Sequence, residues 1–241
     1  MWLLCAPSPE DMIATIRSRC RHLGLRIPTA SAVADLLVRE GVATPEVALE
    51  AARAAQSHIG LARALARDPQ MRERRRAIIT APASVRSVGE AVMAADRLLE
   101  TAKAQADAQV SERNAREKAE LMRQLGMDEG ESATKASRTM IRQLEEDQKR
   151  RSKRALTDAI DRALIDLLAI YRDVLMVQVG GDGELINTDL SDLVHQIAQD
   201  STPRQTLARV DHIETARKRL VSNGNPLLVL EDMAISLRPQ A

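Results

Sequence analysis

Aromatic side chains are nearly missing from this chain: 241 residues include no Phe, one Trp and one Tyr. Stacking platforms for single-stranded nucleic acid need several exposed rings, so that class of site is excluded, and sugar platforms with it. Apolar mass must then come from Ala, Leu, Ile, Val and Met, which form or tolerate helix. The composition predicts a mainly all-α chain, not a β-sandwich or barrel. Cysteine is scarce too. Cys5 and Cys20 make neither a CxxC pair nor a disulfide framework, which fits a reducing, cytoplasmic setting. Excess charge of one sign is also lacking: 35 basic against 34 acidic residues leave a net +1, so no global field draws the chain to a polyanion or a membrane surface. Any nucleic-acid contact must be local. Long apolar runs are absent as well. Residues 2–6 are too few for a signal segment and nothing approaches a membrane span, so no membrane partner is expected.

What is present falls into three parts. Residues 2–6 form an apolar run closed by Pro7-Ser8-Pro9, which reads as a buried strand entering a loop. Ser8 and Pro9 suit a helix start that runs to about Ile16, and residues 22–27 read as a second short strand before Pro28. Two such strands alone make no stable sheet, so the chain is expected to begin partway through a domain. From Thr29 the helical period takes over. Val33, Leu36 and Leu37 mark one helix before Gly41, Thr44-Pro45-Glu46 opens a second, and a third runs over residues 59–66. Arg72-Glu73-Arg74-Arg75-Arg76 leads to a break near Pro82, after which residues 85–125 are periodic with Gly89 as the weak point.

A polar interruption at 126–132 predicts a loop, and a long helix follows over 136–179 with Leu156, Ile160, Leu164, Leu167, Leu168, Tyr171 and Val174 on one stripe. Glu145/Lys149 and Glu146/Arg150 stand four apart in the favourable order. Three further helices are expected: a short one over 190–199, one opened by Thr202-Pro203 and one opened by Asn225-Pro226.

Motifs for chemistry are few. There is no GxxxxGK[ST] loop. Leu228-Val229-Leu230-Glu231-Asp232 imitates a magnesium site, but Pro226 starts a helix there. His22, His58, His195 and His212 lack metal-ligand spacing. Asp158, Asp161 and Asp166 read as surface ion pairs, and Lys149-Arg150-Arg151-Ser152-Lys153-Arg154, which follows three acids, as a solvated or partner-facing helix. One signal remains: Thr15-Ile16-Arg17-Ser18-Arg19-Cys20. A guanidinium held at a helix end in a short Ser/Cys frame suits a group offered to a neighbour's phosphate, being planar, always charged and bidentate.

The surrounding order makes that signal specific. In LLCAPSPEDMIATIRSRCRHLGLRIP (3–28), SHIGLARALARDP (57–69), LEEDQKRRSKRALTDAIDRALIDLLAIYRDVLMVQVG (144–180) and HIETARKRLVSNGNPLLVLEDM (212–233), the chain resembles the delta-prime subunits of the bacterial DNA polymerase III clamp loader, in the form found in high-GC Gram-positive bacteria. The resemblance covers nearly the whole chain. It implies an AAA+-type subunit lacking most of its N-terminal ATPase-like domain: residues 1–27 as the C-terminal remnant of that α/β domain, 28–70 as a small helical lid and 71–241 as a five-helix collar bundle for oligomerisation.

In that family a five-subunit ring, held by its collars, opens the sliding clamp onto primed DNA. The resemblance implies gamma/tau and delta subunits as partners, with the clamp and DNA reached through the complex. It implies no catalytic activity of this chain's own and no bound cofactor, although the chain would form part of the polymerase III holoenzyme. Arg19 matches an arginine finger offered in trans to ATP and Mg on the neighbouring subunit, with Ser18 and Cys20 as its frame. One departure concerns the lid, where Ser57-His58-Ile59-Gly60-Leu61 puts Leu61 near the place of the family's nucleotide-reaching arginine and Arg63 only adjoins it. The alternative reading is a free-standing helical interaction or scaffold module.

Overall fold

The computed structural model describes residues 2–6, 8–125 and 135–238. Among these residues there is no strand, and ten α-helices carry the fold. The loop expected at 126–132 lies outside the described residues. The two strand expectations are corrected. Residues 2–6 and 22–27 are irregular and exposed, with Trp2 at 93% and Leu25 at 88% of full exposure, because a strand needs a ladder partner and no described segment supplies one. Between them lie a 3₁₀ turn, Pro9–Asp11, and α1 (Ala14–Arg17). The single helix expected here is split at Met12 and Ile13, both of which have extended ψ.

Next comes a three-helix module: α2 (Ala30–Arg39), α3 (Pro45–Ala54) and α4 (Ile59–Arg67). Thr29 Oγ1 caps α2 by accepting from Ala32 N. Gly41 ends it with φ +67°, and the Val42 N–H to Leu37 O and Gly41 N–H to Val38 O bonds complete a Schellman turn. Small side chains let the helices approach closely. Ala48, Ala51, Ala52 and Ala62 pack around Val33, Leu37 and Leu65.

Asp68 caps α5 (Pro69–Ser84), which runs from this module onto the bundle. The expected break falls at 85–87, not at Pro82, which sits inside the last turns of α5. α6 (Val88–Gln124) opens with a reciprocal Ser87/Glu90 capping box, so Gly89 occupies the first turn and does not weaken the middle. α7 (Lys135–Gln178), α8 (Ser191–Gln199), α9 (Pro203–Val221) and α10 (Pro226–Ser236) follow. Six helices thus follow residue 68 where five were expected, α5 being the addition. The bundle core joins Ile79 of α5 and Leu99 of α6 to Ile160, Leu164, Leu167 and Val174 of α7, Ile213 of α9 and Leu230 of α10.

At about 1.5 Å per residue, α6 and α7 outrun this core and continue as a two-helix arm. The arm's own core is small: Ala106, Val110 and Ala155 with half-buried Leu156. Ion pairs between the helices supplement it. Arg151 of α7 donates to Glu117 at 2.9 and 3.1 Å and to Asn114 Oδ1 at 2.8 Å, and Lys118 pairs with Glu145.

Candidate functional site

The Ser18-Arg19-Cys20 element is built from the end of α1. Ser18 N–H donates to Ala14 O at 3.0 Å and its Oγ donates to Thr15 O at 3.2 Å. Arg19 N–H donates to Ile16 O at 3.0 Å, and Cys20 N–H to Arg17 O at 3.4 Å. The last carbonyls of the helix are therefore closed by this tripeptide, which fixes its backbone. All three residues are exposed, and among the described residues the Arg19 guanidinium meets no acceptor. Arg17, Arg21 and Arg26 are exposed on the same segment, which makes this end of the molecule cationic.

In the three-helix module, His58 Nδ1 accepts from Leu61 N–H at 3.1 Å and so caps α4. The preceding turn places Gln56 and Ser57 at φ +47° and +66°, conformations that cost non-glycine residues some energy. Leu61 packs against the module core. Arg63 is committed elsewhere: its fork closes on Glu40 of α2, with Nε–Oε2 at 3.0 Å and Nη2–Oε1 at 2.9 Å.

The junction between module and bundle holds a polar network that local sequence reading missed. Arg75 donates from Nε to Asp166 Oδ1 at 3.1 Å and from Nη2 to Asn187 Oδ1 at 2.6 Å. Arg162 donates to Asp166 at 3.0 Å and to the Ala54 carbonyl of α3 at 3.0 Å. Asp173, fully buried, accepts from the backbone N–H groups of Ile186 and Asn187, from Asn187 Nδ2 and from Arg172. Arg53 adds an ion pair to Glu184 at 3.0 Å.

Asp166 is thus corrected from a surface pair to a buried one. Asp166 and Asp173 stand seven apart on α7, two turns along a face to the side of its apolar stripe, and that face is covered by α5 and by residues 186–187. Asp158 is exposed. Asp161 meets Arg217 of α9 at 2.7 and 3.2 Å, and this hydrogen bonding holds the Arg217 pKa above its ordinary value.

Three of the five cations in the basic stretch on α7 meet partners within the chain, and Lys149 and Arg154 are exposed. Arg150 pairs with Asp147, Arg151 with Glu117, and Lys153 donates to Asn223 Oδ1 at 3.1 Å. The pairs expected inside α7 are exchanged, because Glu145 goes to Lys118 across the arm and Glu146 to Arg142. The stretch resembling a magnesium site lies in α10, where Leu230 is buried and Asp232 pairs with Arg219. Among the described residues no group of three or more His, Cys, Asp or Glu can hold a metal, and no helix is long and apolar enough to cross a membrane.

The described residues thus form a helical bundle with an arm, a small helical module and an exposed cationic turn. Residues 132–238 match the family described as DNA polymerase III, delta subunit, C terminal. Over 72 residues the chain is 38% identical to DNA polymerase III subunit delta' of Bacillus subtilis (strain 168), a match that covers 30% of this chain and 22% of that protein's length. The chain is therefore similar to delta-type polymerase III subunits, and the family match spans α7 to α10. Two of the four resembling stretches, 144–180 and 212–233, lie inside it. No solved structure matches significantly.

Proposed function

We propose that this chain is a non-catalytic, delta-prime-type subunit of a bacterial clamp loader, of the high-GC Gram-positive kind, acting in the cytoplasm during DNA replication. The observation that carries this reading is the family match over 132–238, which falls on the bundle helices. In this reading residues 71–241 form the collar that joins gamma/tau and delta subunits, 28–70 form the lid, and 1–27 belong to an AAA+-type domain. The sliding clamp and primed DNA are reached through the complex.

Arg19 acts in trans. Its guanidinium is exposed, free of carboxylate partners among the described residues, and carried on a backbone closed by Ser18 and Cys20. ATP and Mg sit on the neighbouring subunit, and this chain supplies a planar cation to the charge that develops on the transferred phosphoryl group. With Arg63 engaged by Glu40 and Leu61 packed inward, neither residue at the place of the family's nucleotide-reaching arginine is a free cation.

The test is reconstitution with gamma/tau and delta subunits from a high-GC Gram-positive bacterium. The reading expects co-elution as one complex and clamp-stimulated ATP hydrolysis that falls in Arg19→Ala while the complex stays whole. A folded chain that joins neither subunit overturns it.

A further inference from the structure

Between α5, α6 and α10 the surface opens into a cleft of about 200 Å³, floored by Leu167 of α7. Ile78 and Ala81 form one wall, Ala94 and Leu98 the second, and Leu237 closes the end. A dry apolar cavity of about 150 Å³ takes one benzene ring, so this cleft has room for a single aromatic side chain. The chain has two rings to offer. Tyr171 is locked in the bundle core and Trp2 stands exposed on the N-terminal segment, so among the described side chains none fills the space.

The charged groups at the cleft are of one sign. Arg74 and Arg97 stand at its edge, and no carboxylate lines it. The Arg97 guanidinium has no hydrogen bond or ion pair among the described residues. Arg74 reaches Asp68 at 3.4 Å, a half-exposed contact that water screens and that an incoming carboxylate can replace. Pro82 adds a further feature. It brings no N–H, so the Ile78 carbonyl lacks its usual helical donor, and both residues border the cleft. An apolar slot of ring size, with two arginines and a backbone acceptor beside it, is complementary to an aromatic residue flanked by acids.

We propose that this cleft docks one aromatic side chain carried on an acidic segment of a partner protein, the ring entering between α5 and α6 and the flanking carboxylates meeting Arg97 and Arg74. The site is separate from Arg19 and does not rest on the role given to it.

The test uses the full chain and a fluorescein-labelled acetylated peptide, Gly-Asp-Asp-Phe-Asp-Asp-Gly, followed by fluorescence anisotropy. Saturable binding is expected, weakened about tenfold by Arg97→Glu, abolished in a peptide with Ala for Phe, and reduced by added salt. Ala81→Trp, which fills the slot, should abolish it as well. Circular dichroism checks that each variant is folded, and Arg97→Glu, on an exposed position, decides the matter if Ala81→Trp is not. No saturable binding overturns the proposal. So does equal binding of the Ala peptide, which would mean charge alone, or binding indifferent to both substitutions. Sedimentation equilibrium of the chain by itself covers the remaining occupant: a dimer broken by Ala81→Trp would place a second copy in the cleft and also overturn it.

Discussion

Arg75 of α5 donates from Nε to Asp166 Oδ1 of α7 across 3.1 Å, and the two side chains keep only 10% and 7% of their exposure. Removing Asp166 leaves the Arg75 guanidinium buried and without a carboxylate, at a cost of about 3–5 kcal/mol. Asp166→Leu should lower the urea midpoint by a corresponding amount. Adding Arg75→Met should recover part of it, because no buried guanidinium remains without a carboxylate, while Asn187 Oδ1 loses one donor and Arg162 still reaches the Ala54 carbonyl. Equal loss in the single and double variants would mean that the pair contributes net attraction and not only mutual neutralisation.

That network also marks where the sequence stops being legible. Helix starts are local, so Thr44-Pro45, Thr202-Pro203 and Asn225-Pro226 announce α3, α9 and α10 at the positions found. The α7 stripe is equally readable, because that helix packs against α6, α8 and α9 together. α5 is not readable: of its sixteen residues only Ile79 is buried, so it has no stripe, and Pro82 reads as an ending. Asp166 reads as solvated because only the arrival of α5 buries it. Residues 2–6 have the apolar pattern of a strand, but a strand is a relation between segments and no described segment pairs with them. The helix end at Ser18-Arg19-Cys20 is readable because its closing bonds are local, whereas the cleft near Pro82 depends on three helices meeting.

Glu117 gives the arm a pH dependence. Hydrogen bonds from Arg151 first, and then Arg113, hold its carboxyl down to about 2 from the ordinary 4.5. A carboxyl whose folded value is depressed stabilises the fold fully above the unfolded value and loses that contribution as pH falls through the folded one. The arm should therefore loosen between about pH 4.5 and about pH 2. Far-UV circular dichroism across that window, compared with Glu117→Gln, checks this. The variant should start less helical at neutral pH and change less on acidification.

The turn between α9 and α10 should tolerate no side chain at Gly224. Its N–H donates to Arg219 O at 2.8 Å, and a Cβ there would stand 2.8 Å from that same carbonyl and 3.0 Å from Val229 Cγ2. A backbone oxygen cannot rotate away, so Gly224→Ala should cost about 1–3 kcal/mol, in the range of overpacked sites. Asn225→Ala, one residue on, removes the side-chain cap of α10 and should cost about 1 kcal/mol. Thermal denaturation of the two variants side by side gives the order; a milder Gly224→Ala would mean that the turn shifts as a unit.

Arg19 separates a group that acts on a neighbour from one that merely ends a helix. Its backbone N–H closes the Ile16 carbonyl whatever side chain it carries, so Arg19→Ala should leave α1 and the melting temperature of the chain unchanged. In a reconstituted loader the same substitution should slow ATP turnover at one interface. A trans arginine is worth about 10³–10⁵ in GTPases, and the loss seen in total hydrolysis should be smaller where other ring sites still turn over. Arg19→Lys should not restore the rate, since an ammonium is a point charge and cannot present the planar fork that grips two phosphoryl oxygens. Steady-state hydrolysis and clamp loading, with the assembly checked by gel filtration, read these outcomes. Full activity in Arg19→Ala would leave the guanidinium without a role in turnover. Lost assembly would make it a contact that holds the interface, and rescue by lysine would reduce its part to charge alone.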